Sequence, residues 1–75
     1  MELDNDFLYG PMTKTELALL YLPERNQITA RRMLNTWILR HKELYSELVK
    51  SGYSARHILL TPVQVRLIIR YLGEP

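Results

Sequence analysis

The sequence predicts a mainly helical small domain of three to four helices with a short two-stranded β-ribbon between residues 7–9 and 58–60. Three observations predict it. Hydroxyl residues open three apolar-periodic runs, at Thr13, Thr29 and Thr61. Within the runs apolar side chains recur at i, i+3 and i+4, the spacing of one helix face. Pro23, Gly52 and Gly73 punctuate their ends, through a ring that cannot continue a helix or a residue free to turn left-handed.

The first helix is expected from about Lys14 to Leu22. Thr13 and Glu16 have the spacing of a capping box, Met12 and Leu17 that of a hydrophobic staple, and Pro23 stops the run. Residues 23–28 read as a connection. Thr29 then caps a second helix, with Ile28 and Met33 as staple, and Ala30, Met33, Leu34, Trp37 and Ile38 form its inner face. Apolar positions resume at Leu44, Tyr45, Leu48 and Val49 with no breaker between. The pattern fits one rod or two helices bent near His41; a single rod to Ser51 would exceed about 30 Å at 1.5 Å per residue, long for so small a domain, which favours two. Phe7-Leu8-Tyr9 and Ile58-Leu59-Leu60 are short and apolar, and could pair as the ribbon. The last helix has the fullest punctuation: Thr61 as cap, Pro62 at its first position, Gln64 completing the box, and Gly73 at its end.

Seventy-five residues make one domain, with residues 1–6 expected as a flexible acidic N-terminus. So short a chain buries only about 60% of its unfolded surface, so each apolar face is read first as core. With 47% apolar and 24% charged residues the composition is that of a folded domain rather than a disordered one. There is no cysteine, hence no disulfide or thiolate site, and a cytoplasmic location is expected. No targeting segment or membrane span is read in the sequence. The net charge of +2 conceals an asymmetry, because residues 11–75 hold ten Lys/Arg against five Asp/Glu. Such a balance is compatible with nucleic acid.

Catalytic chemistry lacks its ingredients: two histidines lie sixteen positions apart and the glutamates cap helices or sit among lysines. No enzyme activity, cofactor, metal or small-molecule substrate is expected. Glu43 and Glu47 are one turn apart, yet flanking Lys42 and Lys50 read them as a solvated face. His41 and His57 have no further ligands to complete a metal site.

The sharper reading concerns Glu16-Leu17-Ala18 followed by residues 28–38, ITARRMLNTWI. This resembles the helix-turn-helix of small bacterial regulators and phage excisionases, in which one helix braces a second that enters the DNA major groove. The resemblance implies a double-stranded DNA partner. In that use Arg31, Arg32 and Arg40 would meet phosphates, and Asn35 and Thr36 base edges. Arg25, Arg56 and His57 would add to the same surface, the last two as a wing. The connection is longer than the motif's three-to-four-residue turn and lacks its glycine. The bland alternative is that these residues only solubilise the domain.

A second resemblance covers nearly the whole chain. Glu16-Leu17-Ala18, Tyr21, Pro23, Trp37-Ile38, Gly52-Tyr53, Thr61-Pro62, Gln64-Val65 and Leu72-Gly73-Glu74-Pro75 resemble the pattern of a family of short bacterial proteins of unknown function. It implies no mechanism and no site. The competing functional class is a protein–protein adaptor or homodimer, using Tyr45, Val49, Leu67 and Tyr71 as an exposed apolar patch. Trp37, within an apolar face, reads as a core anchor before a base-stacking platform.

Overall fold

The computed structural model describes residues 10–75. Its elements run β1 (Met12–Thr13), α1 (Lys14–Tyr21), α2 (Gln27–Arg40), α3 (Lys42–Lys50), β2 (Leu59–Leu60) and α4 (Pro62–Leu72). The four helices enclose one core, in which Leu17, Ala18, Ala30, Leu34, Ile38, Leu44, Leu48, Tyr53, Leu60, Val65, Ile68 and Ile69 are buried. Trp37 and Tyr21 pack against it edge to face, their ring centroids 5.9 Å apart. Trp37 is thus the anchor its spacing predicts.

Local chemistry sets the boundaries. In α1 the Thr13 hydroxyl accepts from the Glu16 N–H at 3.0 Å while the Glu16 carboxylate accepts from the Thr13 N–H at 2.8 Å. Thr61 and Gln64 make the same reciprocal pair at the start of α4. Gln64 is buried there, and its Nε2 donates to the Ser51 hydroxyl at 3.2 Å, joining the end of α3 to the start of α4. At the other end of α4 the Tyr21 hydroxyl donates to the Gly73 carbonyl at 2.5 Å.

The second helix corrects the expectation. Its cap is Asn26, whose Oδ1 accepts from the Thr29 N–H at 2.8 Å, and the Ala30 N–H already bonds to the Asn26 carbonyl. Thr29 is therefore an interior residue of the first turn. Asparagine caps as well as threonine, and starting three residues earlier adds helical hydrogen bonds that a start at Thr29 would forgo. The staple of Ile28 and Met33 is lost with it, since Ile28 is 61% exposed. Replacing Asn26 with alanine is expected to cost about 1 kcal/mol by thermal denaturation, and Thr29→Ala markedly less. The reverse order would return the cap to Thr29.

Between α2 and α3 the helix breaks at His41, as expected. Its backbone turns to φ −93°, ψ 95°, and its Nδ1 accepts from the Leu44 N–H at 3.3 Å, so one residue ends α2 and caps α3. The longest dimension of the domain is 31 Å, which one rod spanning both helices would fill alone. The ribbon is antiparallel, with Met12 opposite Leu60 and Thr13 opposite Leu59. The expected partner segment, residues 7–9, lies outside the described residues, as does the acidic stretch 1–6. Met12–Thr13 supplies the strand because the extended backbone that Thr13 needs as a cap continues directly into it.

Candidate functional site

The ladder does not stop at Thr13. The Lys14 N–H donates to the Ile58 carbonyl at 2.8 Å, so the first residue of α1 is tied to the chain entering β2. This geometry turns the Lys14 side chain inward beneath the connection between α3 and β2. Its Nζ donates to the Ala55 carbonyl at 3.0 Å and lies over the Tyr53 ring, 4.7 Å from the centroid. Lys14 is only 2% exposed.

Around it opens a cleft of about 220 Å³ lined by Lys14, Arg31, Asn35, Ala55, Arg56, His57 and Ile58. One wall is α2 and the other is the connection leading to β2. Among the described residues no carboxylate lines it. Four of the residues singled out in the sequence, Arg31, Asn35, Arg56 and His57, meet here although two dozen positions separate the helix pair from the loop pair. Among the described residues neither Arg31 nor Arg56 takes part in an ion pair, whereas Lys50 and Glu47 form one at 3.7 Å.

The electrostatics follow from this arrangement. Burial, and then the neighbouring Arg31 charge, hold the Lys14 ammonium below the ordinary lysine value of 10.5. The helix dipole also disfavours a cation in the first turn of α1. Burial, followed by Tyr45, raises the Tyr53 phenol above 10.0. The Lys14 penalty is in full force below its folded pKa and is relieved as pH climbs from there to 10.5, where the unfolded lysine also loses its proton. Stability measured against pH is therefore expected to rise over that interval, and Lys14→Met to remove the rise. Above 10.0 the raised Tyr53 opposes it, because the unfolded phenol ionises first. A parent and variant with parallel profiles below pH 10 would contradict the assignment.

The other residues singled out in the sequence lie elsewhere. By the 100° step per residue, Arg32 and Thr36 point outward from α2, beside the cleft wall. The Thr36 hydroxyl donates to the Arg32 carbonyl at 3.0 Å, which spends its one proton within the helix. Arg40 is nine residues beyond Arg31 and so about half a turn from it and away from the cleft, but it follows Thr36 by four residues and shares that exposed outer side of α2. Arg25 is exposed in the five-residue connection 22–26. His41 is committed to the α3 cap and meets the Tyr71 ring at 5.0 Å. Among the described residues no three His, Cys, Asp or Glu side chains come together as metal ligands.

The expected apolar patch does not form either. Tyr45, Leu67 and Tyr71 are half-buried against the core, and Val49 alone of the four is exposed. A domain with so little core uses the edges of its helix faces for packing. The large apolar side chains left in solvent include Ile28, at 61%, and Leu39, at 58%, both on the outer side of α2.

The chain belongs to DUF4248, a domain of unknown function, which matches residues 8–75. No curated protein and no solved structure matches it. No helix among the described residues of this DUF4248 chain is long and apolar enough to cross a membrane. Lys14 is the residue that sequence reasoning missed in this DUF4248 domain. The available signal was a cation placed one residue after a helix cap, where a carboxylate is the favoured charge.

Proposed function

We propose that this domain is a non-enzymatic DNA-binding module, a regulator or accessory protein that sets the outer face of α2 against duplex DNA in a helix-turn-helix manner. One observation carries the reading: Lys14, Arg31, Asn35, Arg56 and His57 converge on a cleft that no carboxylate among the described residues lines, beside the outward-pointing Arg32. Arg31, Arg32 and Arg56 would neutralise phosphates. Asn35, with both a donor and an acceptor on its amide, would read a base edge. Thr36 is left mainly as an acceptor, and Arg25 would reach the flanking backbone. Arg40, one turn beyond Thr36 on the outer side of α2, would meet a phosphate away from the cleft.

Titration of a labelled mixed-sequence duplex, followed by fluorescence anisotropy, tests this. Neutralising about three or four phosphates predicts affinity about a hundredfold weaker at 200 mM than at 50 mM salt. Absence of salt-dependent binding at micromolar protein would defeat the reading.

A second reading, a protein–protein adaptor or homodimer, is favoured by Ile28 and Leu39, two large exposed aliphatic side chains on one face of α2. Sedimentation equilibrium separates the two. A self-associating chain whose dimer is lost in Leu39→Glu, with no affinity for the duplex, would support the second and reject the first.

A further inference from the structure

We propose that the cleft between α2 and the connection entering β2 is a binding site for a single phosphate group. The inference deepens the DNA reading by naming the chemical group the cleft takes; it rests on that reading only for sharing its cations.

Three features of the site support it. The first is chemistry: an ammonium, two guanidiniums, an imidazole and a carboxamide line the cleft, and no acid among the described residues does. Guanidinium forks and ammonium donors match the tetrahedral oxygens of phosphate, and charge-assisted hydrogen bonds of this kind are the strong ones. The second is the standing of Lys14. Lys14 is almost wholly buried, its ammonium donates to a neutral carbonyl and lies over an aromatic face, and its charged neighbour Arg31 repels it. Among the described residues Lys14 has no ion-pair partner, and an anion in the cleft would supply that countercharge. The third is size. A volume of about 220 Å³ admits a phosphate with a small substituent, and the exposed Ile58 at its edge offers that substituent an apolar contact.

Lys14 also fixes the wall of the cleft. Through Ala55, Tyr53 and Ile58 it holds the connection against the start of α1, so Arg56 and His57 face Arg31 and Asn35 across the opening. This pre-positioning lowers the ordering cost of binding. The phosphate could be part of a nucleic-acid backbone, as a diester monoanion, or of a free phosphomonoester.

The test uses the full chain, labelled with nitrogen-15, titrated with inorganic phosphate, methyl phosphate and dimethyl phosphate at constant ionic strength. Inorganic phosphate and methyl phosphate are expected to cause saturable shifts at Asn35, Ala55, Arg56 and His57, with millimolar dissociation constants. Arg56→Gln should weaken them about tenfold, equivalent to about 1.4 kcal/mol, and Arg40→Gln should leave them unchanged. Arg56 is exposed, so the variant keeps the fold, whereas Lys14→Met removes the bond that holds the loop at Ala55. Saturation by dimethyl phosphate as well would assign the site to a nucleic-acid backbone, and its failure to a free monoester; both support a phosphate site. Shifts that chloride reproduces, or none that saturate below about 20 mM phosphate, would overturn it. Duplex binding without phosphate saturation would overturn this inference alone, and phosphate saturation without duplex binding would defeat the DNA reading alone.

Discussion

Leu34→Ala is expected to lower the melting temperature by roughly 10–30 °C. Leu34 is fully buried at the middle of α2, in the same cluster as Leu17, Ala18, Leu44, Leu48 and Ile68. Truncating a leucine in such a place removes its burial energy and leaves a cavity, at a cost of about 2–5 kcal/mol. In a domain of this size each kcal/mol moves the midpoint by about 4–8 °C. Total stability for so short a chain is itself only about 4–11 kcal/mol, so the variant would lose a large fraction of it. Leu39→Ala, five positions along the same helix but exposed, should change stability by less than about 0.5 kcal/mol. Calorimetry or circular dichroism melts of the two variants check the orientation of α2 directly. Equal effects would mean that α2 is rotated from the position described.

The second large effect sets function against stability. Arg31→Glu is expected to reduce duplex affinity by a hundredfold or more at low salt, since it removes one phosphate contact and places a repelling carboxylate in the cleft. The same substitution removes the charge that opposes Lys14 and gives the buried ammonium a partner. Its stability should therefore equal or exceed the parent's, with the Lys14 pKa raised. Weaker binding accompanied by greater stability is the pattern of a residue kept for its ligand rather than for the fold. A variant that both binds less and melts earlier would mark Arg31 as structural.

Most of the fold was legible because its stops and starts are chemical and local. Thr13 with Glu16 and Thr61 with Gln64 are each a pair of hydrogen bonds three residues apart, visible in any sequence that contains them. The bend at His41 followed from length. The start of α2 was not decidable in the same way: Asn26 and Thr29 are both good caps, and the winner depends on how a whole turn packs rather than on either residue. The ribbon was half legible. The segment around Leu60 is apolar and flanked by turns, whereas Met12–Thr13 is hidden in what reads as the lead-in to a helix.

The candidate site was less legible than the fold. Arg31 and Asn35 share a helix face by their spacing, and Arg56 and His57 are adjacent, but no periodicity connects the two pairs. What joins them is Lys14, through its long-range bonds to Ala55 and Ile58. A lysine beside a helix cap reads as solvated, and only the ladder hydrogen bond turns its side chain inward. Arg40 stands apart from the cleft because nine residues place it half a turn from Arg31, although it shares the outer side of α2 with Thr36.

The central claim is that the lysine-floored cleft and the adjoining face of α2 form the binding surface. Mapping amide shifts of the labelled protein on addition of duplex DNA tests it most directly. The account predicts perturbations concentrated at Arg31, Arg32, Asn35, Ala55, Arg56 and His57, sparing the side that carries Lys42 and Lys50. Perturbations centred on that opposite side, or none at all, would contradict it.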